Sequence, residues 1–276
     1  MTVATPAAEG FDIGRVISRL FAVLGRNFVT FLLLAILLAG LPTGAASLLQ
    51  LLRMSPMFGE NGVVAPSAAA QLFEPTSIAL SLLAGLVAAM GNAVLQGSVI
   101  HGAVSDLAGR KASFGDCLGT GLRFFLPLIA IGIISSICVF FGCLVFLVPG
   151  ILLALAWSVA TPAEVVERTG IFGAFGRSLE LTRNHRGAIF GLAIIAVVVG
   201  VMFSMASGAI AAAIFLMIGR PGGGAMFGVM VVQTFASLLA QTASSLIGSV
   251  GVASTYYELR QIKEGVGAEQ LAAVFD

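Results

Sequence analysis

The chain has 276 residues, of which 58% are hydrophobic and 10% are charged, and its mean hydropathy is +1.06. Soluble domains carry charges on about a quarter of their residues, so this composition excludes a water-soluble fold and indicates a polytopic membrane protein. The formal net charge of +1 gives no sign of nucleic-acid binding, and in a membrane protein the position of the charges matters more than their sum.

The N-terminal part of the sequence predicts a tail followed by an interfacial helix. Residues 1–10 are small and polar and predict a disordered tail. From Phe11 to Arg26, apolar residues recur at helical spacing against a polar face that carries Arg15 and Arg19, which is typical of a helix lying on a membrane surface. A cleaved signal peptide is the competing interpretation, and the long basic region before the hydrophobic core argues against it.

Six apolar segments follow, each compatible with the roughly 20 helical residues that cross a bilayer. Pro42 predicts a kink or break in the first span. A short amphipathic piece is predicted from Phe114 to Leu122, a tight turn at Pro149-Gly150, and a solvated helical end at 258–264. The predicted spans cover 28–52, 77–107, 124–148, 151–166, 188–218 and 225–255 of a membrane domain at 11–265, and a C-terminal cytoplasmic tail covers 266–276.

The distribution of basic residues predicts the orientation. With six spans, twelve of the fourteen lysines and arginines fall on the side of the two termini, and only Arg53 and Arg220 fall on the other. The positive-inside rule therefore places both termini in the cytoplasm of a bacterial inner membrane. Amphipathic surface helices that open near Phe11, Phe114 and Phe172 then lie on the cytoplasmic side, each before a helical hairpin. Alternatively, such helices simply recur wherever charged loops meet apolar spans.

The segment 160–186 joins the fourth and fifth spans and mixes charges of both signs into the apolar sequence. Glu164 and Glu167 are three residues apart and share a helix face, and Ile171 to Leu181 predict a short amphipathic helix. Gly170 allows a turn that would pair Glu167 with Arg177; in the alternative, both charges stay solvated. The candidate structural elbow consists of Pro162, Glu164, Glu167, Gly170, Arg177 and Ser178.

Polar amides inside the spans form a second candidate site. Asn92 and Gln96 lie four residues apart in the second span, and Gln233 and Gln241 lie on a polar stripe of the sixth. Because amides are costly in lipid unless they face protein, these four residues predict a polar helix interface. For the polar stripe of the sixth span, the alternative is a lining for the path of a solute.

The sequence contains no pattern typical of a metal site or a catalytic centre. His101 and His185 have no ligand partner at i+4, and the three cysteines are scattered. Serine-hydrolase and phosphate-loop signatures are absent. No metal, cofactor or catalytic residue is therefore predicted, and this argues against an enzyme.

The elbow and the end of the last span resemble a known family. The elbow matches the patterns P-x-x-V-x-E-x-x-G and A-x-x-R-S-x-x-L-T of the glycerophosphoryl diester phosphodiesterase membrane-domain family and related uncharacterised bacterial inner-membrane proteins, and the resemblance covers Phe11 to about Gly265. It implies a six-helix membrane module that in some relatives precedes a catalytic barrel, with no catalytic residues in the membrane part. The residues that carry it are Pro162, Glu164, Val165, Val166, Glu167, Gly170, Ala174, Arg177, Ser178, Leu181 and Thr182, together with Tyr256, Tyr257, Leu259, Arg260 and Glu264.

These observations predict an all-α protein with six transmembrane helices and short amphipathic helices at the cytoplasmic surface. The function that fits best is a non-catalytic membrane scaffold or lipid-associated module. A transporter of a lipid or small solute is the alternative, and an intramembrane enzyme comes third. The expected partners are membrane lipids and a membrane or cytoplasmic protein, and no nucleic acid.

Overall fold

The computed structural model describes residues 10–54, 74–218 and 223–265. Within these ranges the chain forms helices and no strand, which confirms the all-α prediction. The predicted tails at 1–10 and 266–276 lie outside the described residues, except for Gly10. The helices are α1 (Ile13–Arg26), α2 (Phe28–Ala35), α3 (Leu41–Met54), α4 (Pro75–Leu107), α5 (Phe114–Val145), α6 (Leu147–Ala156), α7 (Ala160–Glu167), α8 (Ile171–Thr182), α9 (Arg186–Ile218) and α10 (Gly223–Glu264), with a π-helical turn at Ile36–Gly40.

Six helical stretches in the described part of the chain are long and apolar enough to cross a membrane, which confirms the predicted number. Large apolar side chains along them are exposed, among them Leu144 and Leu216, as expected of helices that contact lipid tails. The chain is therefore an integral membrane protein. The six stretches are Phe28–Arg53, Pro75–Leu107, Phe114–Val145, Leu147–Glu167, Arg186–Met217 and Gly228–Glu264.

The described chain divides into two compact units. The second unit consists of Ala35–Asn92 and Val197–Ser245, and the remaining described residues form the first. The described charged residues belong to the first unit, except for Arg53 and Glu74 in the second. The described charged side chains are therefore concentrated in the first unit, which contains α1, α5 to α8 and the C-terminal end of α10.

The third span begins earlier than predicted, because the segment from Phe114 to Leu122 is the first part of α5 and not a separate helix. Ser113 starts α5 with a capping box. Its hydroxyl accepts the N–H of Asp116 at 3.2 Å, and the Asp116 carboxylate accepts the N–H of Ser113 at 3.1 Å. The helix then continues into the apolar span, so surface segment and span are one element.

The turn between the third and fourth spans lies at Phe146, so the predicted turn at Pro149-Gly150 is wrong. Phe146 has an extended backbone (φ −153°, ψ 134°), and α6 begins at the next residue. Pro149 therefore lies in the first turn of α6, where its missing N–H removes no helical hydrogen bond. Gly150 allows α6 to pack closely on α5, since a Cβ on it would overlap Sγ of Cys143.

The backbone of the first span departs from the α-helix directly before Pro42, where a kink or break is predicted. The departure is the π-helical turn at Ile36–Gly40. Pro42 has no N–H to donate to the carbonyl of Leu38. This carbonyl approaches α4 of the same unit so closely that a Cβ on Gly91 would overlap its oxygen. Gly91 is thus required by the close approach of two backbones.

We expect Gly91→Ala to lower the melting temperature of the detergent-solubilised protein. The added methyl group must push α4 away from the backbone at Leu38, and overpacking of this kind typically costs about 1–3 kcal/mol. Gly85→Ala is the matched control, because a Cβ at Gly85 on the same helix meets open space and alanine favours helix. Equal melting temperatures for the two variants would contradict the close approach.

Candidate functional site

The chain turns between α7 and α8 through two residues with positive φ. Arg168 ends α7 in the left-handed conformation (φ 53°, ψ 41°), and its N–H donates to the carbonyl of Glu164 at 3.0 Å. Gly170 follows with φ 77° and precedes α8. Glycine adopts positive φ freely, as the predicted turn requires, whereas Arg168 does so at a cost of about 1–2 kcal/mol.

Ser178 of α8 binds to a break in the fourth span. The span is interrupted between Ala156 and Ala160, where backbone groups leave the helical pattern. The Ser178 hydroxyl donates to the carbonyl of Ala156 at 2.8 Å and accepts the N–H of Val159 at 3.3 Å. The hydroxyl of Thr182 also donates to Ala156, at 3.3 Å. Because buried backbone groups need partners, these hydroxyls connect α8 to the interrupted span.

Glu167, at the end of α7, is bonded to both α8 and α10. Nε of Arg177 lies 2.8 Å from Oε2 of Glu167, so the ion pair suggested by their spacing around Gly170 is present. The hydroxyl of Tyr256 donates to Oε1 of Glu167 at 2.6 Å. Tyr256 is fully buried, so Glu167 lies between the elbow and the last helix. The contribution of α10 was not predicted, although Tyr256 belongs to the residues that carry the family resemblance.

Arg177 joins further carboxylates to this group. It pairs with Glu264 on α10 and with Glu180, the latter at 3.0 Å. Nε of Arg260 lies 2.8 Å from Glu264, and its Nη1 donates to the Tyr256 hydroxyl at 3.3 Å. A network of this kind holds its members more firmly than an isolated surface pair does. We call the following residues the elbow cluster: Glu167, Arg177, Tyr256, Arg260 and Glu264.

Arg177 remains charged in this setting. Burial lowers the pKa of its guanidinium, but the hydrogen bonds and negative charges of Glu167 and Glu180 outweigh burial, so the pKa is raised above its ordinary value. A hydrogen bond to Asp106 likewise raises the pKa of Arg26, which joins α1 to α4. Both guanidinium groups therefore remain cationic throughout the physiological pH range.

Glu258 forms a second buried cluster with α1. Its side chain is 2% exposed, Nη2 of Arg15 lies 2.9 Å from its Oε1, and Arg19 pairs with its Oε2. Arg19 also donates to Gln261 at 2.8 Å and lies over the ring of Tyr257. The predicted solvated helical end is therefore wrong at Glu258, because the arginines of α1 cover it. Glu258, Arg15 and Arg19 are called the terminal cluster below.

The two remaining elbow residues, Pro162 and Glu164, are both buried in α7. Pro162 lies in the first turn, where helices accept proline. Glu164 is 4% exposed, and its Oε2 has no hydrogen-bond partner among the described residues. Glu167, one turn further along the helix, is half-buried and ion-paired, so the two carboxylates have different surroundings.

The predicted polar helix interface is assembled in part. Asn92 accepts a hydrogen bond from Ser245 at 3.4 Å, and Asn92 and Gln241 line a small cavity of the second unit with room for about one water molecule. Gln233 does not line this cavity, and its buried Oε1 has no partner in the described part of the chain. Gln96 is half-buried in the first unit.

We expect Glu258→Gln to lower the melting temperature in detergent by several degrees. The substitution leaves two arginines beside an almost fully buried neutral amide, and removing one partner of a buried pair costs about 3–5 kcal/mol before allowance for the partly exposed arginines. Glu180→Gln is the control, because the Glu180 side chain is 68% exposed and such pairs contribute little. If the two variants have the same melting temperature, the terminal cluster does not hold α1 against α10.

Comparison with known proteins finds bacterial membrane proteins that are similar to part of this chain. It is 32% identical over 105 residues to a UPF0259 membrane protein of Pectobacterium carotovorum, which covers 37% of this chain and 41% of the relative. UPF0259 membrane proteins of Yersinia pestis and Yersinia pseudotuberculosis are 30% identical over 102 residues, covering 37% of this chain and 40% of each relative. The matched stretch thus spans about two fifths of these curated relatives. No protein-family model and no solved structure matches the chain.

Proposed function

We propose that the protein is a non-catalytic, lipid-associated scaffold of the bacterial inner membrane, with both termini in the cytoplasm. The observation that carries the proposal is the pair of ion-paired clusters around Glu167 and Glu258. They join α1, α7, α8 and α10 within one compact unit. The result is a charged platform at the ends of apolar spans, which can present a fixed surface to a membrane or cytoplasmic partner protein.

The fixed geometry of this platform favours a scaffold over a transporter. Alternating access requires two arrangements of similar free energy. Moving α7 or α10 would separate Glu167 or Glu258 from arginines in surroundings that are largely buried, which is strongly unfavourable. A platform locked in this way suits a protein that positions other molecules.

The proposed orientation follows from the arginines. Those of the two clusters come from α1, α8 and the end of α10, so they lie at one end of the spans. Cationic residues favour the cytoplasmic side of the inner membrane. The wider count over the whole sequence, twelve basic residues against two, points the same way.

Cysteine labelling tests the orientation. In a variant with all three cysteines replaced by alanine, Thr169→Cys, between α7 and α8, should react with a membrane-impermeant maleimide only after spheroplasts are permeabilised. Asn61→Cys, which lies between the predicted first and second spans and outside the described residues, should react in intact spheroplasts. Labelling of Thr169→Cys in intact spheroplasts would reverse the proposed orientation.

Extraction in native lipid discs tests the scaffold. We expect a partner chain to co-purify with the wild type at a fixed ratio. It should be lost in Glu167→Gln, because Glu167 holds the platform together, and kept in the exposed control Glu180→Gln. A rise in melting temperature with one particular solute, without a partner, would instead identify a transporter. Lipid hydrolysis that disappears in Glu164→Gln or His101→Ala would identify an intramembrane enzyme. Either of these results overturns the scaffold.

We also propose membership of the glycerophosphoryl diester phosphodiesterase membrane-domain family. Several residues behind that resemblance have structural roles here: Gly170 forms the turn, Ser178 bonds to the fourth span, and Arg260 belongs to the elbow cluster. The proposal concerns a shared membrane module and rests on the sequence patterns alone, and a shared fold implies no shared activity.

A further inference from the structure

Two arginines from separate spans lie beside one aromatic ring. The guanidinium carbon of Arg123 is 5.8 Å from the centroid of the Phe124 ring, and that of Arg168 is 6.0 Å from the same centroid. Arg123 lies near the start of the third span, and Arg168 directly follows the fourth. The fold therefore places both positive charges beside one ring, at the ends of the third and fourth spans.

Neither arginine has a carboxylate partner among the described residues, in contrast to the arginines of the two clusters. Both side chains are exposed. Asp116 and Arg168 both act electrostatically on His101, but the Asp116 carboxylate already accepts hydrogen bonds from the N–H and hydroxyl of Ser113. The positive charge at Phe124 is thus left for an anion from outside the chain.

Exposed apolar side chains accompany the two arginines. Leu122 and Leu126 lie one helical turn apart on α5 and are 53% and 65% exposed. Phe172, in the first turn of α8, is 81% exposed, while the opposite face of α8 is buried. Aromatic residues in such positions typically sit at headgroup depth in a bilayer. Any anion bound here therefore borders on surface suited to acyl chains.

The backbone holds Arg168 at this position. Its left-handed conformation (φ 53°) ends α7, and its N–H donates to the carbonyl of Glu164 at 3.0 Å, so its guanidinium extends from a hydrogen-bonded helix end. A guanidinium binds phosphate oxygens through two parallel N–H donors. Two such groups can donate hydrogen bonds to the oxygens of one phosphodiester, whose single negative charge they more than compensate.

We propose that Arg123 and Arg168 bind the phosphate of one anionic glycerophospholipid, with its acyl chains against Leu122 and Leu126. The site rests on the proposed association with lipid and names its ligand class. A soluble phosphate ester would satisfy the arginines but leave the leucines uncovered, so the apolar surface favours the lipid.

Native mass spectrometry of the delipidated full-length protein, titrated with phosphatidylglycerol or phosphatidylcholine, tests the site. We expect saturable binding of phosphatidylglycerol that weakens at least tenfold in Arg123→Gln combined with Arg168→Gly, and no such difference for phosphatidylcholine. Glycine at position 168 accepts the positive φ, so this variant keeps the fold, which its melting temperature verifies. Arg53→Ala combined with Arg183→Ala removes the same charge elsewhere and should bind as the wild type does.

Three results would overturn the site. Unchanged phosphatidylglycerol binding in the Arg123 and Arg168 variant rejects these residues. An equal loss in the Arg53 and Arg183 control assigns the effect to net charge. Displacement of the lipid by an equal concentration of glycerol 3-phosphate assigns the arginines to a soluble anion. None of these readouts depends on a partner chain or on the orientation in the cell. The proposed lipid site and the proposed scaffold function can therefore be rejected independently of each other.

Discussion

The ion pairing of two carboxylates, the half-buried Glu167 and the buried Glu258, is the constraint on which the rest of the first unit depends. An ionised group away from water is strongly unfavourable unless an opposite charge and hydrogen bonds compensate it. Both carboxylates meet arginines that belong to other helices. The charges are therefore satisfied only when α1, α7, α8 and α10 come together. Electrostatics thus selects one arrangement of these helices, whereas contact with lipid alone would not distinguish among several.

The second unit is held together by different means. Its charged residues are few, and its contacts depend on close backbone approach at Gly91 and on weak polar bonds such as that between Asn92 and Ser245. This is the usual chemistry of helix association in lipid, where small residues and hydroxyls replace the hydrophobic effect. The first unit thus depends mainly on ion pairs and the second mainly on close helix packing. Loss of a charge should therefore affect the first unit most, and an added side-chain atom at a packing glycine should affect the second most.

The sequence predicted what short-range patterns can express. Hydropathy over about 20 residues identified the six spans, and the spacing around Gly170 identified the contact of Glu167 with Arg177. The turn at Phe146 was missed because proline and glycine suggest a turn, whereas proline is also accepted in the first turn of a helix. The burial of Glu258 was missed because its partner Arg15 is 243 residues away in the chain, and no local pattern reports such a pairing.

The terminal cluster has a consequence for biosynthesis. Arg15 and Arg19 leave the ribosome first, and Glu258, which neutralises them, follows only after all the intervening spans have been made. During membrane insertion the first helix therefore remains without its counterion, and water or lipid headgroups must solvate its two cations. Assembly of the first unit is completed by the last helix, so a chain interrupted before α10 would present an unneutralised basic helix to quality-control proteases.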